Sequence, residues 1–330
     1  MSSGGASFIQ NFDRIYVEEE AYAYGLTADI ISRFPQSAVT AVKHYKDVFN
    51  RAGQSYELQK NSRKLILAVN HGQLIYRGSP VCQNYEGGDF FYTSTVLNCP
   101  FDCDYCFLKG RYATANIVIF VNTQDYLDQA AKLNKCYLSV SFDTDLPALE
   151  SITGACSMWA GFAADHPETH VEIRTKTGGG SFKPVSNLIY AFTLSPDAVI
   201  REYEHGTAGL DTRIRGINKA VESGCTVRIC IDPILYVDNW RSLYGELIER
   251  IISEVDVSRI RDFGIGAFRI SADYIKAIRR CAPQSDAVQF PFEKREGYCV
   301  YPDDINKTMV NYVRDRLREV KDDDRIFCQY

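Results

Sequence analysis

The sequence predicts an α/β protein: a partial (β/α)6 TIM-like barrel over 91–285, with an N-terminal α/β extension (1–90) packed on it and a C-terminal β-hairpin and helix (286–330). Three observations lead there. Apolar runs alternate with helical patterns from Phe91 onward, and such alternation builds parallel strands joined by crossover helices. Polar residues gather where those runs end, as on the C-terminal face of a barrel that carries a site. A chain of 330 residues with 45% apolar content can also bury one large core.

In chain order, "LTADIISRF" and "AVTAVKHYKDVFNRA" carry helical spacing, while "RKLILAV" and "GQLIYRG" read as strands. Barrel strands are expected at 91–97, 117–121, 136–142, 171–176, 188–194, 226–235 and 263–270. Helices are expected at 123–133, 147–164, 211–222, 240–254 and 271–281. "TKTGGGSFKP" at 175–184 reads as a mobile loop, and "VYPDDINKTMVNYVRDRLREV" closes the chain with a helix.

Composition narrows the function. A net charge of −5 excludes an overall basic nucleic-acid binder, yet a local basic groove stays open because the field near a site depends on where charges sit. No stretch approaches the roughly 20 apolar residues of a membrane span. "MSSGGASFIQNFDRIYVEEE" has neither a basic start nor an apolar run, so a reducing cytoplasm and no membrane are expected.

The most specific local feature is "CPFDCDYC". Cys99, Cys103 and Cys106 follow the apolar "FFYTSTVL" and can hold three irons of a [4Fe-4S] cluster, leaving one iron open to a substrate or cofactor. Structural zinc needs four ligands, and the partner pair is missing: the nearest extra candidates are Cys82, Cys136 and His71. A disulfide framework fits poorly with an odd count of 11 cysteines.

Beyond the cysteines, "IYVEEEAYAYGLTADII", "QKNSRKLILAV", "CPFDCDYCFLKG", "VEIRTK", "AFTLSPDAVIREYEHGT" and "IDPILYVDNWRSLYGELIERI" follow one another across nearly the whole chain. In these landmarks the chain resembles the spore photoproduct lyase family of radical S-adenosyl-L-methionine enzymes. The resemblance implies a barrel of the radical SAM type, S-adenosyl-L-methionine on the open iron, and cleavage of that cofactor to a 5′-deoxyadenosyl radical. In the family this radical takes a hydrogen from C6 of a methylene-bridged thymine dimer in DNA, and the bridge then fragments to two thymines. An electron donor such as a flavodoxin or ferredoxin is implied, and a monomer is expected.

By position, Lys176 matches the lysine that holds the cofactor carboxylate, a pairing that suits a fixed ammonium. Thr193 and Thr144 stand where the family has serines near the cofactor, and Tyr105 also matches. Asp232 stands where alanine is usual beside the adenine or ribose; it can accept from ribose hydroxyls or be held by backbone amides. Two departures bear on the end of the reaction. Phe142 replaces the cysteine that returns the final hydrogen atom, and Phe107 replaces a tyrosine after the third cluster cysteine. Cys82 is then the substitute donor, with Cys136, Cys156, Cys225 and Cys230 lying in core-like strands or helices. For the lesion, "FPFEKREGYCVY" offers Lys294, Arg295, Tyr298 and Tyr301, interleaved with Glu293 and Glu296. Lys109, Arg111, Arg269, Arg279 and Arg280 are further groove candidates. Two other readings stay open here: a paralogue acting on another nucleotide or a non-DNA molecule, and a non-catalytic metal-binding protein.

Overall fold

The computed structural model describes residues 11–78 and 88–330. A five-stranded sheet runs in the order Ala38–Val42, Arg14–Glu18, Leu65–Ala68, Ile117–Phe120, Val96–Leu97, parallel except for its last member. A second, curled sheet of eight strands forms a half-barrel: Ile326–Gln329, Asp262–Ala267, Thr226–Ile234, Leu188–Thr193, Thr169–Thr175, Cys136–Ser139, Phe90–Thr93 and Ile75–Arg77. All its pairings are parallel except Ile75–Arg77 against Phe90–Thr93. The expected partial barrel is therefore present, and its strands are joined by helices such as Leu210–Glu222 and Trp240–Glu254.

Several expectations need correction. Residues 38–42 form a strand rather than a helix, pairing in register from Arg14↔Ala38 to Glu18↔Val42. The β-branched Val39, Thr40 and Val42 suit a pleated edge better than a helix. The helical signal that follows reduces to the short turn Tyr45–Asp47, capped reciprocally by His44 and Asp47. The stretch 91–97 is not one strand. Phe90–Thr93 lies in the half-barrel, whereas Val96–Leu97 crosses to the first sheet and pairs antiparallel with Ile117–Phe120. That strand, expected in the barrel, belongs to the first sheet, where all four residues are buried. Helix 147–164 is two helices, Leu146–Thr153 and Ala155–Asp165, broken at Gly154 with φ 64°. The edge strand Ile326–Gln329 was not expected.

The C-terminal hairpin is present as Glu293–Arg295 against Tyr298–Val300, turning through Glu296 (φ 47°) and Gly297 (φ 85°). It joins Arg269–Ser271 in a three-stranded sheet, and the helix Asp303–Leu317 follows. The Gly-rich loop after Thr169–Thr175 is packed rather than loose at Gly178. A Cβ there would sit 1.8 Å from the Thr212 carbonyl oxygen, and a Cβ on Gly216 would sit 2.7 Å from Gly178 Cα. Backbone thus lies against backbone where the loop meets the helix Leu210–Glu222. Gly178→Ala is expected to lower stability by about 1–3 kcal/mol, the usual effect of overpacking. Gly179→Ala, with nothing within 4 Å, is expected to be nearly silent. Thermal unfolding of the two variants checks this; equal midpoints would mean that the loop is not packed.

Candidate active site

The cysteine loop is held by its backbone. Asn98, at φ 73°, turns the chain out of Val96–Leu97 and donates through Nδ2 to the Thr114 and Asn116 carbonyls, both at 2.8 Å. The buried Arg63 guanidinium donates to the carbonyls of Cys99 (3.2 Å), Pro100 and Phe101 (3.5 Å), satisfying groups that the loop leaves unpaired. Asp102–Cys103 pairs antiparallel with Glu204–His205, and Asp104 N–H donates to the Tyr203 carbonyl at 2.9 Å. The "EHGT" segment is thus a backbone clamp on the loop.

Cys99, Cys103 and Cys106 all line one cavity of about 680 Å³. Burial pushes all three thiols up, Cys103 to about 12. Three neutral thiols become three thiolates when cationic irons compensate their charge. Among the described residues, no three His, Cys, Asp or Glu side chains converge to hold a single metal ion. Thiols arrayed around a shared cavity suit a polynuclear cluster better than a zinc ion. The donor set therefore fits an iron–sulfur group.

Lys176 leaves the end of Thr169–Thr175 and enters the same cavity. Its N–H donates to Asp145 at 2.7 Å, and its carbonyl accepts from Ala208 N–H at 3.2 Å. Its ammonium donates to Tyr105 Oη at 2.5 Å and Glu204 Oε1 at 3.0 Å, and stands 3.9 Å from Cys103 Sγ. Glu204 is buried and also accepts from the Tyr105 hydroxyl, from Ser195 Oγ at 2.9 Å and from Arg213 Nη2 at 2.5 Å. Burial opposes its charge, but Lys176 and Arg213 outweigh that and hold the carboxyl well below the usual carboxylate range. Burial likewise opposes the Lys176 ammonium, but its acidic surroundings, the Glu204 carboxylate among them, raise it above its ordinary value. Glu204, Arg213, Ser195 and Arg63 were not singled out from sequence; the "EHGT" landmark was the one signal pointing at Glu204.

The other expected cofactor contacts reach the cavity in different states. Thr144 lines the cavity, and its Oγ1 is buried with no hydrogen-bond partner. Thr193 lines the wall, its carbonyl held by Arg213 at 3.0 Å. Asp232 also lines it, but its oxygens accept from Arg269 at 3.1 and 3.3 Å, with Arg174 at 3.8 Å. It is engaged by arginines, rather than by the backbone amides expected as one option. Asp145 beside Lys176 caps the helix Leu146–Thr153, and burial raises its carboxyl to about 6. Phe142 stacks on Tyr92 with centroids 4.0 Å apart, and Phe107 lies 5.5 Å from it.

Cys82 lies outside the described residues. Of the lesion candidates, Tyr298 lines the cavity, while Lys294 and Arg295 are exposed on the hairpin. Tyr301 must be corrected to a core residue: it is fully buried, accepts from Tyr236 N–H at 3.0 Å and packs against Phe290 and Phe292. Arg279 is also structural, donating to the Val288 and Phe290 carbonyls at 2.9 and 2.7 Å. Lys109 is buried against Asp102 at 2.5 Å, and Arg111 pairs with Asp143 at 2.8 Å.

Comparison with known proteins adds a family. The family model described as spore photoproduct lyase matches residues 10–296. Spore photoproduct lyase of Clostridium acetobutylicum is 22% identical over 94% of this chain and 93% of its own length; that of Bacillus subtilis is 22% identical over 72% of each. Among solved structures, a spore photoproduct lyase complexed with dinucleoside spore photoproduct superposes with a TM-score of 0.79 at 18% identity, covering 98% of this chain and 99% of the other. A mutant with bound AdoMet and the same dinucleoside gives 0.79, at 18% identity over 97% and 99%. These superpositions show the fold.

Removing the Glu204 charge is expected to be costly because Arg213 is fully buried with it. Glu204→Gln should cost about 3–5 kcal/mol in denaturant unfolding, the cost of breaking a buried pair from one side. The double variant Glu204→Gln/Arg213→Met is expected to recover part of that. A double variant as unstable as the sum of the two single changes would show that the pair is not coupled.

Proposed function

Because the chain belongs to the spore photoproduct lyase family, we propose that it is a radical S-adenosyl-L-methionine carbon–carbon lyase that repairs DNA, cleaving the methylene-bridged thymine dimer 5-thyminyl-5,6-dihydrothymine to two thymines. The observation that carries this reading is the meeting of three thiols and one paired lysine, from separate motifs, in one cavity. A [4Fe-4S] cluster and S-adenosyl-L-methionine, when bound, supply a 5′-deoxyadenosyl radical there.

The chain's own residues bind, orient and exclude water. Cys99, Cys103 and Cys106 would hold three irons and leave the fourth open. An ammonium carries three donors, and Tyr105 and Glu204 engage two of those on Lys176. The third points to Cys103 Sγ at 3.9 Å, a long contact that a cofactor carboxylate beside the cluster would replace, and the unpartnered Thr144 hydroxyl would serve another acceptor. Thr193 and Asp232 would border the same ligand, Asp232 as the anchor of Arg269. Tyr105 fixes the lysine beside the cluster loop.

Phe142 has no hydrogen weak enough to give. Cys82 would therefore donate its S–H hydrogen to the thymine methylene radical, forming a methyl C–H and leaving a thiyl. Tyr298 and Lys294 would face the lesion strand from the hairpin, with Arg295 a weaker contact because Glu293 and Asp303 already hold it. The protein would act as a cytoplasmic monomer, reduced by a flavodoxin or ferredoxin. No helix among the described residues is long and apolar enough to cross a membrane.

Anaerobic turnover of a synthetic dinucleoside photoproduct tests the reading. Reconstituted protein is expected to return thymine, and cofactor cleavage without thymine would contradict it. Cys82→Ala is expected to cleave the cofactor still but divert the product into trapped by-products; clean repair by that variant would remove Cys82 as donor.

A further inference from the structure

We infer that this enzyme takes its lesion from single-stranded or short oligonucleotides, recognised through its aromatic wall, and does not grip duplex DNA by its phosphates; the inference rests on the lyase reading above. Two sets of observations carry it. The first is the state of the arginines on and around the cavity. Arg111 is paired with Asp143 at 2.8 Å, and Arg269 with Asp232 at 3.1 Å. Arg174 lies between Glu172 at 3.4 Å and Asp232 at 3.8 Å. On the strand that flanks Phe90–Thr93, Arg77 pairs with Asp89 at 3.1 Å. Arg295 of the hairpin is held by both Glu293 and Asp303. Each of these cations is already matched by a carboxylate of the chain.

The hairpin shares this balance. Its exposed strand and turn carry Glu293, Lys294, Arg295 and Glu296, two acids against two bases, at the tip that would meet a phosphate backbone. Tyr301, just after the hairpin, is in the core and offers no ring to a nucleic acid. Duplex binding draws its affinity and its salt dependence from the number of phosphates neutralised. A net charge of −5 adds long-range repulsion to a surface that neutralises few.

The second set is the wall itself. Phe90, Tyr92, Phe107, Phe142, Tyr274 and Tyr298 line the cavity, with Tyr92 and Phe142 stacked at 4.0 Å. Faces of this kind stack on unpaired bases whatever their sequence, which is how single strands are held without a dense basic groove. An unpaired lesion also needs no extrusion from a helix, so it reaches such a wall without that cost.

The test compares three substrates carrying the same photoproduct, namely a dinucleotide, a single strand and a duplex of about 20 base pairs, with reconstituted protein and dithionite. The single strand is expected to match or exceed the duplex in kcat/KM. Duplex affinity is expected to fall less than about tenfold between 50 and 200 mM salt, the signature of fewer than two neutralised phosphates. A duplex preferred more than tenfold, or an affinity loss of tenfold or more, would overturn the inference while leaving the lyase reading intact. No turnover of any substrate would count against the lyase reading and remove this inference with it. The variant Glu293→Gln/Glu296→Gln, outside the catalytic cavity, is expected to raise duplex affinity at least threefold and steepen its salt dependence. An unchanged duplex affinity would show that these acids do not set the missing grip, and would overturn the inference as well.

Discussion

The buried carboxylate of Glu204 is the constraint on which the cavity depends. One side chain accepts from Tyr105, Lys176, Ser195 and Arg213, and the same residue pairs through its backbone with Cys103. Arg213 is fully buried and Lys176 largely so, and two cations that close in a water-poor site need an anion between them. Loss of that anion would leave the two cations uncompensated and the Lys176 ammonium held only by Tyr105 and Cys103 of the cysteine loop. The geometry couples two motifs about 70 residues apart in the chain through a single hydrogen-bonded group.

Below this layer the half-barrel carries a ladder of buried ion pairs beside a small apolar cluster of Tyr137 and Ile189. Arg228, fully buried, donates to both oxygens of Asp262 and to Glu172 at 3.0 Å, and Tyr137 donates to the same Glu172 oxygen at 2.5 Å. Arg174, Asp232 and Arg269 continue the ladder toward the cavity. Such pairs are poor sources of stability, because desolvation offsets their attraction, but each has few alternative geometries. They hold the strand ends that carry Lys176 and Thr193 at fixed heights around the cavity. An aromatic cluster of Tyr92, Phe142 and Phe107 then closes one side.

Much of this was legible in the amino-acid order. The parallel strands from 136 to 267 announced themselves by continuous apolar runs, and the cysteine spacing pointed to an open-iron cluster. What failed did so for identifiable reasons. Residues 38–42 show helical spacing locally, but pairing with Arg14–Glu18 decided their state. Ile117–Phe120 looks like any barrel strand, and only the antiparallel return of Val96–Leu97 reveals which sheet it joins. Tyr301 reads as a surface aromatic beside charged residues, yet the alternation along Tyr298–Val300 turns it inward. Glu204 and Arg213 carry no signature of burial in their own segments, since burial of a charge follows from a partner far away in sequence. Local pattern reports what a residue is, and only tertiary packing reports whom it meets.

The cysteine loop and Lys176 serve one ligand in one cavity, and electron paramagnetic resonance of the reduced, reconstituted protein tests this most directly. Addition of S-adenosyl-L-methionine is expected to change the cluster signal of the unaltered protein and to leave that of Lys176→Ala unchanged. A signal that does not respond in the unaltered protein, or that responds equally in both, would contradict it.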